Sequence, residues 1–336
     1  MITLGIVVPC FNEEAVLPET CRRLAAVLRQ LQAVGKVGPS SRIIFVDDGS
    51  RDRTWPLIEG MVAAGEPVAG IRLSRNRGHQ NALLAGLLAA PGDALVSIDA
   101  DLQDDVGQIE AMVDRHAEGC DVVYGVRRRR DADTWFKRAT ATTFYRLIAL
   151  MGVETIRDHA DYRLLSRRAI DGLRGYGEVN LYLRGIVPLL GFRTAVVEYA
   201  RSERLAGESK YPLRKMLGLA LEAVTSFSVV PLRLVTALGL IVSLGSAVVI
   251  GWALWTALIA NRALPGWTST VLPIYFLGGV QMLSLGVIGE YVGKIYLESK
   301  ARPRYLVAQA IGFAPEATAW PSAPTTAASP AAGLTP

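Results

Sequence analysis

The sequence predicts an α/β domain with a mainly parallel sheet, followed by a two-helix membrane hairpin. Short apolar runs alternate with helical patterns through the first part of the chain. Most charged residues lie within the first two hundred positions, whereas Leu234–Ala260 and Ala263–Gly289 contain none. Each uncharged segment exceeds the roughly 20 residues needed to cross a bilayer. These patterns indicate one soluble part and one membrane part.

The soluble part is predicted to build its sheet from strand-length runs of apolar and β-branched residues. Such runs, separated by helices, are typical of a parallel sheet that is covered on both faces. The predicted strands are Ile2–Val8, Arg42–Val46, Gly70–Leu73, Leu95–Ile98 and Val122–Tyr124. The helical patterns between them cover Glu14–Leu31, Asn81–Ala90 and Val106–Glu118.

Two acidic turns follow predicted strands. Asp47 and Asp48 come after the second strand, and Asp99 and Asp101 come after the fourth. Because ligands of such a sheet bind beyond the carboxyl ends of its strands, both turns are candidate binding loops. A divalent cation would relieve repulsion between nearby carboxylates, and oxygen ligands suit Mg²⁺ or Mn²⁺. The alternative is that these residues only form turns or cap helices.

The charge pattern favours phosphate or anionic lipid as a partner. The formal net charge is +5, and basic residues cluster at Arg127–Arg130, Arg163–Arg168 and Arg201–Lys215. No nucleic-acid-binding module accompanies these clusters, so we expect no nucleic acid partner. The three cysteines lack metal-ligand spacing, and the first strand leads into Pro9 without a signal-type segment. We therefore expect the soluble part to lie in the cytoplasm.

The membrane part is expected to be a hairpin with both termini in the cytoplasm, because Lys and Arg flank the pair and only one arginine lies in its connection. Trp135–Leu150 and Tyr211–Phe227 are amphipathic candidates for the headgroup region, although the first could equally pack on the sheet. Small residues such as Gly289 and Gly293 would allow close helix packing, including in a homo-oligomer. The predicted divisions are a catalytic domain at 1–210, an interfacial helix at 211–228, two spans at about 232–260 and 270–293 within 229–297, and a tail at 298–336 that becomes disordered.

Several motifs resemble those of family 2 glycosyltransferases with a GT-A fold. They are Val8-Pro9-x-Phe11-Asn12-Glu13, Asp47-Asp48-Gly49-Ser50, Ser74-Arg75-Asn76-x-Gly78-x-Gln80 and Asp99-Ala100-Asp101-Leu102-Gln103-Asp104. Asp161–Ser166 and Gly207–Met216 resemble the branch that makes polyprenyl-phosphate sugars. The likeness extends from about Ile2 to Lys300. One departure is Asp105-Val106, where the family usually has two prolines, and this could shift the metal site slightly.

The resemblance implies a role for each matched position. The nucleotide pocket would contain Pro9, Phe11, Asn12, Glu13, Asp47 and Asp48, with Asp48 on the base. Mg²⁺ or Mn²⁺ and the diphosphate would be bound by Asp99, Asp101 and Gln103, with Asp101 as the main metal ligand. The candidate catalytic residues are Asp101, Asp161 and Arg163, of which Asp161 would be the base or acceptor-orienting group. The candidates for binding the lipid phosphate or the donor diphosphate are Arg127, Arg138, Arg163, Arg204, Ser209 and Lys210. For Arg163 the alternative is an ion pair with Asp158 or Asp161.

The resemblance also implies a reaction, which is inverting transfer of a hexose from a nucleotide diphosphate sugar to a polyprenyl phosphate. UDP-glucose is the preferred donor, and mannose, galactose or modified aminoarabinose are alternative sugars. A processive polysaccharide synthase is disfavoured because the chain lacks a Gln-x-x-Arg-Trp segment and further membrane helices. A catalytically silent lipid-binding scaffold is the alternative from a different class.

Overall fold

The computed structural model describes residues 1–127, 159–179, 181–200, 230–258 and 267–313. These residues fall into two compact units. One unit contains a sheet with its surrounding helices, and the other contains two long helices. The predicted amphipathic segments Trp135–Leu150 and Tyr211–Phe227, and the end of the tail from residue 314, lie outside the described residues.

The first unit is built on an eight-stranded sheet. Its strands are β1 (Leu4–Cys10), β2 (Arg42–Asp47), β3 (Val68–Leu73), β4 (Ala94–Ser97), β5 (Val122–Arg127), β6 (His159–Ser166), β7 (Thr194–Tyr199) and β8 (Val307–Ile311). Their spatial order is β7-β5-β6-β4-β1-β2-β3-β8. The neighbours β4, β1, β2 and β3 are parallel, whereas β6 runs antiparallel between β4 and β5, and β8 runs antiparallel to β3.

The described helices comprise six in the first unit and two in the second. Those of the first are α1 (Leu17–Ala33), α2 (Thr54–Ala63), α3 (His79–Ala89), α4 (Gln108–Ala117), α5 (Arg167–Leu173) and α6 (Leu183–Leu189). Those of the second are α7 (Val230–Leu258) and α8 (Trp267–Ser299).

Strand β1 shows how the sheet is covered on both faces. All seven of its residues are buried, and successive side chains of a strand point to opposite faces. Leu4 and Ile6 join the core cluster formed with α1 and α4. Val7 faces α3, where a methyl group at Gly86 would lie 2.3 Å from Val7 Cγ1. The predicted α/β architecture with helices on both faces is therefore confirmed.

The parallel pairing aligns the strand ends that matter for binding. Cys10 pairs with Asp47, and Val7 pairs with Ser97. The Asp48 backbone N–H donates to the Cys10 carbonyl at 2.9 Å. The turns after β1, β2 and β4 therefore meet at one edge of the sheet, as the sequence predicts.

The second unit gives one candidate membrane span within the described residues. Phe276–Ser299 is long and apolar enough to cross a membrane by length and composition, and none of its apolar window is buried. Helix α7 contributes only a shorter apolar segment, Val230–Val242. Of the two predicted spans, one is therefore supported, and the two-helix hairpin is not confirmed.

Three strands of the sheet are absent from the predictions. Strand β6 carries the charged Asp161 and Arg163, which interrupt its apolar pattern. Strand β7 alternates exposed with half-buried or buried positions at the edge of the sheet. Strand β8 follows the long apolar segment, within the predicted tail, and pairs with β3 far from it in sequence.

Candidate active site

A cleft of about 290 Å³ opens where the turns after β1, β2 and β4 meet the start of α3. Six of the predicted site residues line it, namely Pro9, Phe11, Glu13, Asp48, Asp99 and Asp101. Asn76 and His79 line it as well. Phe11 is exposed although it is a large apolar side chain. The cleft therefore combines an accessible aromatic ring with several carboxylates.

Asn12 fixes the turn after β1 without lining the cleft. Its backbone has a φ of 55°, a conformation that asparagine tolerates better than most residues. Its N–H donates to Ser50 Oγ at 2.9 Å, and its Oδ1 accepts from the Arg51 N–H at 2.9 Å. The next residue, Glu13, donates its N–H to Thr54 Oγ1 at 2.9 Å. These bonds hold the turn after β1 against the turn after β2.

The Asp47 carboxylate makes its contacts inside the protein. Its side chain is fully buried and does not line the cleft. Its Oδ1 accepts from the Ser50 N–H at 2.9 Å, and its Oδ2 lies 3.5 Å from Arg72 Nε. The carboxylate therefore closes the turn after β2 and pairs with the neighbouring strand.

Asp48 lines the cleft but also anchors the loop between β3 and α3. Its two carboxylate oxygens accept from the N–H groups of Arg77 at 2.7 Å and Gly78 at 2.8 Å. The same loop approaches Gly49 so closely that a methyl group there would lie 2.7 Å from the Arg75 carbonyl carbon. Burial raises the pKa of Asp48, and the two hydrogen bonds oppose that rise. Asp48 thus couples the position of this loop to the cleft.

The turn after β4 presents two carboxylates, Asp99 and Asp101, to the cleft. Asp99 Oδ1 is buried, makes no hydrogen bond to any described residue, and lies 3.4 Å from His79 Nε2. Burial raises the pKa of Asp99 to about 6. Asp101 Oδ1 accepts from the Gln103 N–H at 3.2 Å, and Gln103 itself is buried outside the cleft lining.

The turn after β4 provides some, but not all, of the ligands that a divalent cation needs. The described residues contain no group of three or more His, Cys, Asp or Glu side chains that could hold a metal ion. Asp99 and Asp101 nevertheless face the same cleft, and one Asp99 oxygen is buried without a hydrogen-bond donor. Hard cations such as Mg²⁺ take few protein carboxylates and complete their shell with water and substrate phosphates. The donor set is therefore compatible with such an ion.

Asp161 on β6 is the centre of a second network beside the cleft. It accepts from Gln80 Nε2 at 3.0 Å, from Arg184 Nη2 at 3.1 Å and from Arg163 Nη2. His79 Nε2 lies 3.5 Å from Asp161 Oδ2. Burial alone would raise the pKa of Asp161, but His79 and the two guanidinium groups hold that pKa well below its ordinary range. The carboxylate is thus ionised and surrounded by donors.

Arg163 is enclosed in the protein. Its side chain is 1% exposed, and burial lowers its pKa. Besides its ion pair with Asp161, it donates through Nη1 to the Leu183 carbonyl at 3.3 Å. The contact with Asp161 is the ion pair that the sequence analysis gives as the alternative to phosphate binding.

Arg127 is paired with other residues of its own unit. Its Nε and Nη2 donate to Asp104 Oδ1 at 3.3 and 3.1 Å, and Nε also donates to Tyr199 Oη at 3.1 Å. Tyr199 in turn donates to the buried Asp104. Arg127 does not line the cleft. The other predicted phosphate-binding residues, Arg138, Arg204, Ser209 and Lys210, lie outside the described residues.

Two residues of this site have no role in the sequence analysis. His79 follows Gly78 at the start of α3, so its place in the Ser74–Gln80 motif is the one available signal. Arg184 contacts Asp161, which lies 23 residues earlier in the chain, and nothing in the local sequence indicates that contact.

Comparisons with known proteins identify the family. Residues 5–174 match the model of glycosyl transferase family 2. An uncharacterized glycosyltransferase of Bacillus subtilis, YkoT, is 48% identical over 306 residues, covering 90% of each chain. A prophage bactoprenol glucosyl transferase homolog of Escherichia coli is 37% identical over 305 residues, covering 90% of this chain and 98% of the relative. The bactoprenol glucosyl transferase of Shigella phage SfV is 38% identical over 305 residues, covering 90% and 97%. This chain therefore belongs to glycosyl transferase family 2.

Proposed function

We propose that this protein transfers a hexose from a nucleotide diphosphate sugar to a polyprenyl phosphate at the cytoplasmic membrane. The main support is a cleft containing Asp99 and Asp101 in a chain that is 37–38% identical to proteins named bactoprenol glucosyl transferase. UDP-glucose is the donor we favour, because those relatives are named for glucosyl transfer. Mannose, galactose and modified aminoarabinose are the other sugars to test.

A membrane-embedded second unit would bring the enzyme to a lipid acceptor. The candidate span Phe276–Ser299 supports this, and α7, with 29 residues, is long enough to be a second span. We propose that residues 1–210 form the catalytic domain and that an interfacial helix at 211–228 connects it to a membrane hairpin. Both termini would lie on the cytoplasmic side. Packing through Gly289 and Gly293 would support a homo-oligomer.

The donor nucleotide is proposed to bind between the turns after β1 and β2. Phe11 and Pro9 offer apolar contact to the base, and Asp48 has carboxylate lone pairs beyond those used by the loop N–H groups. Asn12 and Asp47 would act by shaping the two turns, since their side-chain hydrogen bonds are made within the protein.

The diphosphate is proposed to lie beside the turn after β4. Asp99 and Asp101 would hold Mg²⁺ or Mn²⁺ there, and a bound ion would supply positive charge to stabilise the departing diphosphate. Gln103 would keep the turn in place from its buried position behind Asp101. Cationic side chains of the chain itself would add to this stabilisation.

The acceptor requires little help from a base. A phosphate monoester has a second pKa of about 6 and is largely dianionic at neutral pH. One of its oxygens attacks the anomeric carbon, the bond from that carbon to the diphosphate breaks, and the configuration inverts. Asp161, with its lowered pKa and its ring of donors, is suited to orient Arg184 and His79 and poorly suited to accept a proton. Alignment of the two substrates and electrostatic stabilisation of the departing diphosphate would account for most of the rate enhancement.

The test is a transfer assay with detergent-purified protein, undecaprenyl phosphate, Mn²⁺ or Mg²⁺ and a panel of nucleotide sugars, with the lipid product identified by mass. We expect a polyprenyl-phosphate hexose that forms only with one donor and depends on the cation. Absence of both transfer and donor hydrolysis with every nucleotide sugar would instead favour a silent lipid-binding scaffold.

A further inference from the structure

Arg184, at the start of α6, holds Asp161 in a two-point contact beside the cleft. Its Nε donates to Asp161 Oδ1 at 3.2 Å and its Nη2 to Asp161 Oδ2 at 3.1 Å. Within the described part of the chain, its remaining nitrogen, Nη1, makes no hydrogen bond. The side chain is 39% exposed, so that nitrogen is within reach of a ligand.

The position of Arg184 relative to the cleft follows from a shared acceptor. Asp161 Oδ2 accepts from Arg184 and also lies 3.5 Å from His79 Nε2. His79 lines the cleft and lies 3.4 Å from Asp99 Oδ1. A chain of contacts therefore connects Arg184 to the turn at which the diphosphate is proposed to bind.

Asp161 is shared between two cationic side chains. One carboxylate faces two guanidinium groups, those of Arg163 and Arg184. Arg163 is fully buried, and a buried cation needs its counter-ion permanently. The half-exposed Arg184 shares that counter-ion, and Asp99 is a second, more distant carboxylate that favours its charged form. Its Nη1 is still available to a ligand, and a planar guanidinium matches phosphate oxygens well.

Arg184 and Asp161 do not line the cleft themselves but lie next to its lining residue His79. We propose that the Arg184 guanidinium, held in place by Asp161, binds a substrate phosphate group beside this cleft. The inference rests on the proposed function, because the phosphate would be either the diphosphate of the donor nucleotide or the phosphate of the lipid acceptor. Asp161 is then a positioning residue, and Arg184 is the residue that touches substrate.

A purely structural ion pair is the competing explanation, and the chain offers a matched control. Arg168 makes the same two-point contact with Asp121, with Nε donating to Oδ1 at 3.2 Å and Nη2 to Oδ2. It is 68% exposed. Asp161 lies 3.5 Å from the cleft residue His79, whereas the side-chain partners of Asp121 are Ser166 and Arg168, which do not line the cleft. Arg168→Gln therefore removes an equivalent ion pair that has no phosphate to bind.

The experiment compares wild type, Arg184→Gln, Arg184→Lys and Arg168→Gln in detergent. Calorimetry with UDP and Mn²⁺ measures donor binding, transfer kinetics measure the KM for undecaprenyl phosphate, and thermal unfolding measures stability. We expect Arg184→Gln to raise one of the two constants about 10- to 100-fold, as befits a lost hydrogen bond to a charged group. Arg184→Lys should raise the same constant less, and Arg168→Gln should raise neither.

The pattern of results identifies the phosphate and exposes failure. Weaker UDP binding assigns Arg184 to the donor diphosphate, whereas a raised KM for the lipid alone assigns it to the acceptor. Unchanged constants in Arg184→Gln, or equal losses in Arg184→Gln and Arg168→Gln, overturn the proposal. If Arg184→Gln does not fold, unchanged constants in Arg184→Lys, which retains the charge beside Asp161, overturn it as well. If the wild type forms no lipid product, the proposed function fails, while UDP binding still decides the role of Arg184.

Discussion

The turns after β2 and β4 have similar sequences but use their carboxylates differently. Asp47 is fully buried and has internal partners in Ser50 and Arg72. Both Asp47 and Asp99 have one buried oxygen without a hydrogen bond to any described residue, with a basic nitrogen 3.5 Å and 3.4 Å away, respectively. They differ in exposure, because the Asp99 side chain is 33% exposed and lines the cleft with Asp101. Burying a carboxylate is costly unless donors or a cation compensate it. Exposure to the cleft, rather than the motif, separates the turn that supports the fold from the turn that is proposed to bind a ligand.

The largest expected effect tests the turn after β4. We expect Asp101→Ala to reduce the transfer rate about a thousandfold, equivalent to about 4 kcal/mol of transition-state stabilisation, because the cation proposed to neutralise the diphosphate would lose its main protein ligand. The folded state should persist, as measured by thermal unfolding in detergent.

The control for this variant lies in the same loop. Asp105 accepts from the Gly107 N–H at 2.9 Å and does not line the cleft. Asp105→Ala should therefore lower stability slightly and leave the rate within about tenfold of wild type. Near-normal turnover by Asp101→Ala would show that the two acidic turns do not differ in the way described above.

The opposite result is expected in the turn after β2. Asp47→Ala leaves the Ser50 N–H without its acceptor and Arg72 without its ion pair. We expect a loss of about 2 kcal/mol in the free energy of unfolding. The KM for the nucleotide sugar, measured well below the unfolding temperature, should stay within a few-fold of wild type. A large rise in that KM with unchanged stability would move Asp47 from the fold to the binding site.

The sequence anticipates the sheet edge better than the side-chain network on it. Strands β1, β2 and β4 are apolar runs that end in polar turns. Periodicity and turn residues therefore predict that Asp99 and Asp101 lie at the same edge of the sheet as the turns after β1 and β2. The ion pair of Asp161 with Arg163, two residues along the same strand, is an alternative in the sequence analysis. The contact with Arg184 is harder to predict, because Arg184 is 23 residues away and reaches Asp161 through the tertiary fold. The charged residues of that network also interrupt the apolar pattern of β6, so the sequence does not predict this strand. The resemblance implies that Arg127 binds phosphate, whereas its pairing with Asp104 and Tyr199 depends on the position of β7 in the sheet.

Asp104 extends the comparison to a third carboxylate, in the same loop as Asp101. It is buried and accepts from Arg127 and Tyr199, so it resembles Asp47 more than its neighbour. Tyr199→Phe removes one hydrogen bond to this charged group and should cost about 1.5 kcal/mol of stability. Kinetic constants for both substrates should not change. A rise in the KM for the lipid phosphate would instead indicate that Tyr199 holds Arg127 for substrate binding.

The smallest expected effect is a gain in stability, whereas the variants above lose rate or stability. It tests the contrast between the two turns most directly. Asp99→Ala removes a carboxylate whose pKa in the folded state is about 6, above its ordinary value of 3.8. The folded state therefore holds this proton more tightly than the unfolded chain, and the resulting destabilisation is absent below about pH 4, grows up to about pH 6 and is complete above it. Because solvent screening reduces the effect at this partly exposed side chain, we expect the variant to unfold about 2 °C higher than wild type near neutral pH without added metal. The difference should shrink as the pH is lowered towards 5.

Asp47→Ala is the matched control for this last measurement, since it should unfold at a lower temperature than wild type throughout the same pH range. Adding Mn²⁺ should raise the unfolding temperature of wild type and of Asp47→Ala, because a cation that binds only the folded state stabilises it. Asp99→Ala should respond less, having lost one of the two carboxylates of the proposed site. If Asp99→Ala instead unfolds below wild type at neutral pH, its carboxylate has partners like those of Asp47, and the contrast between the two turns fails at the residue on which it rests most.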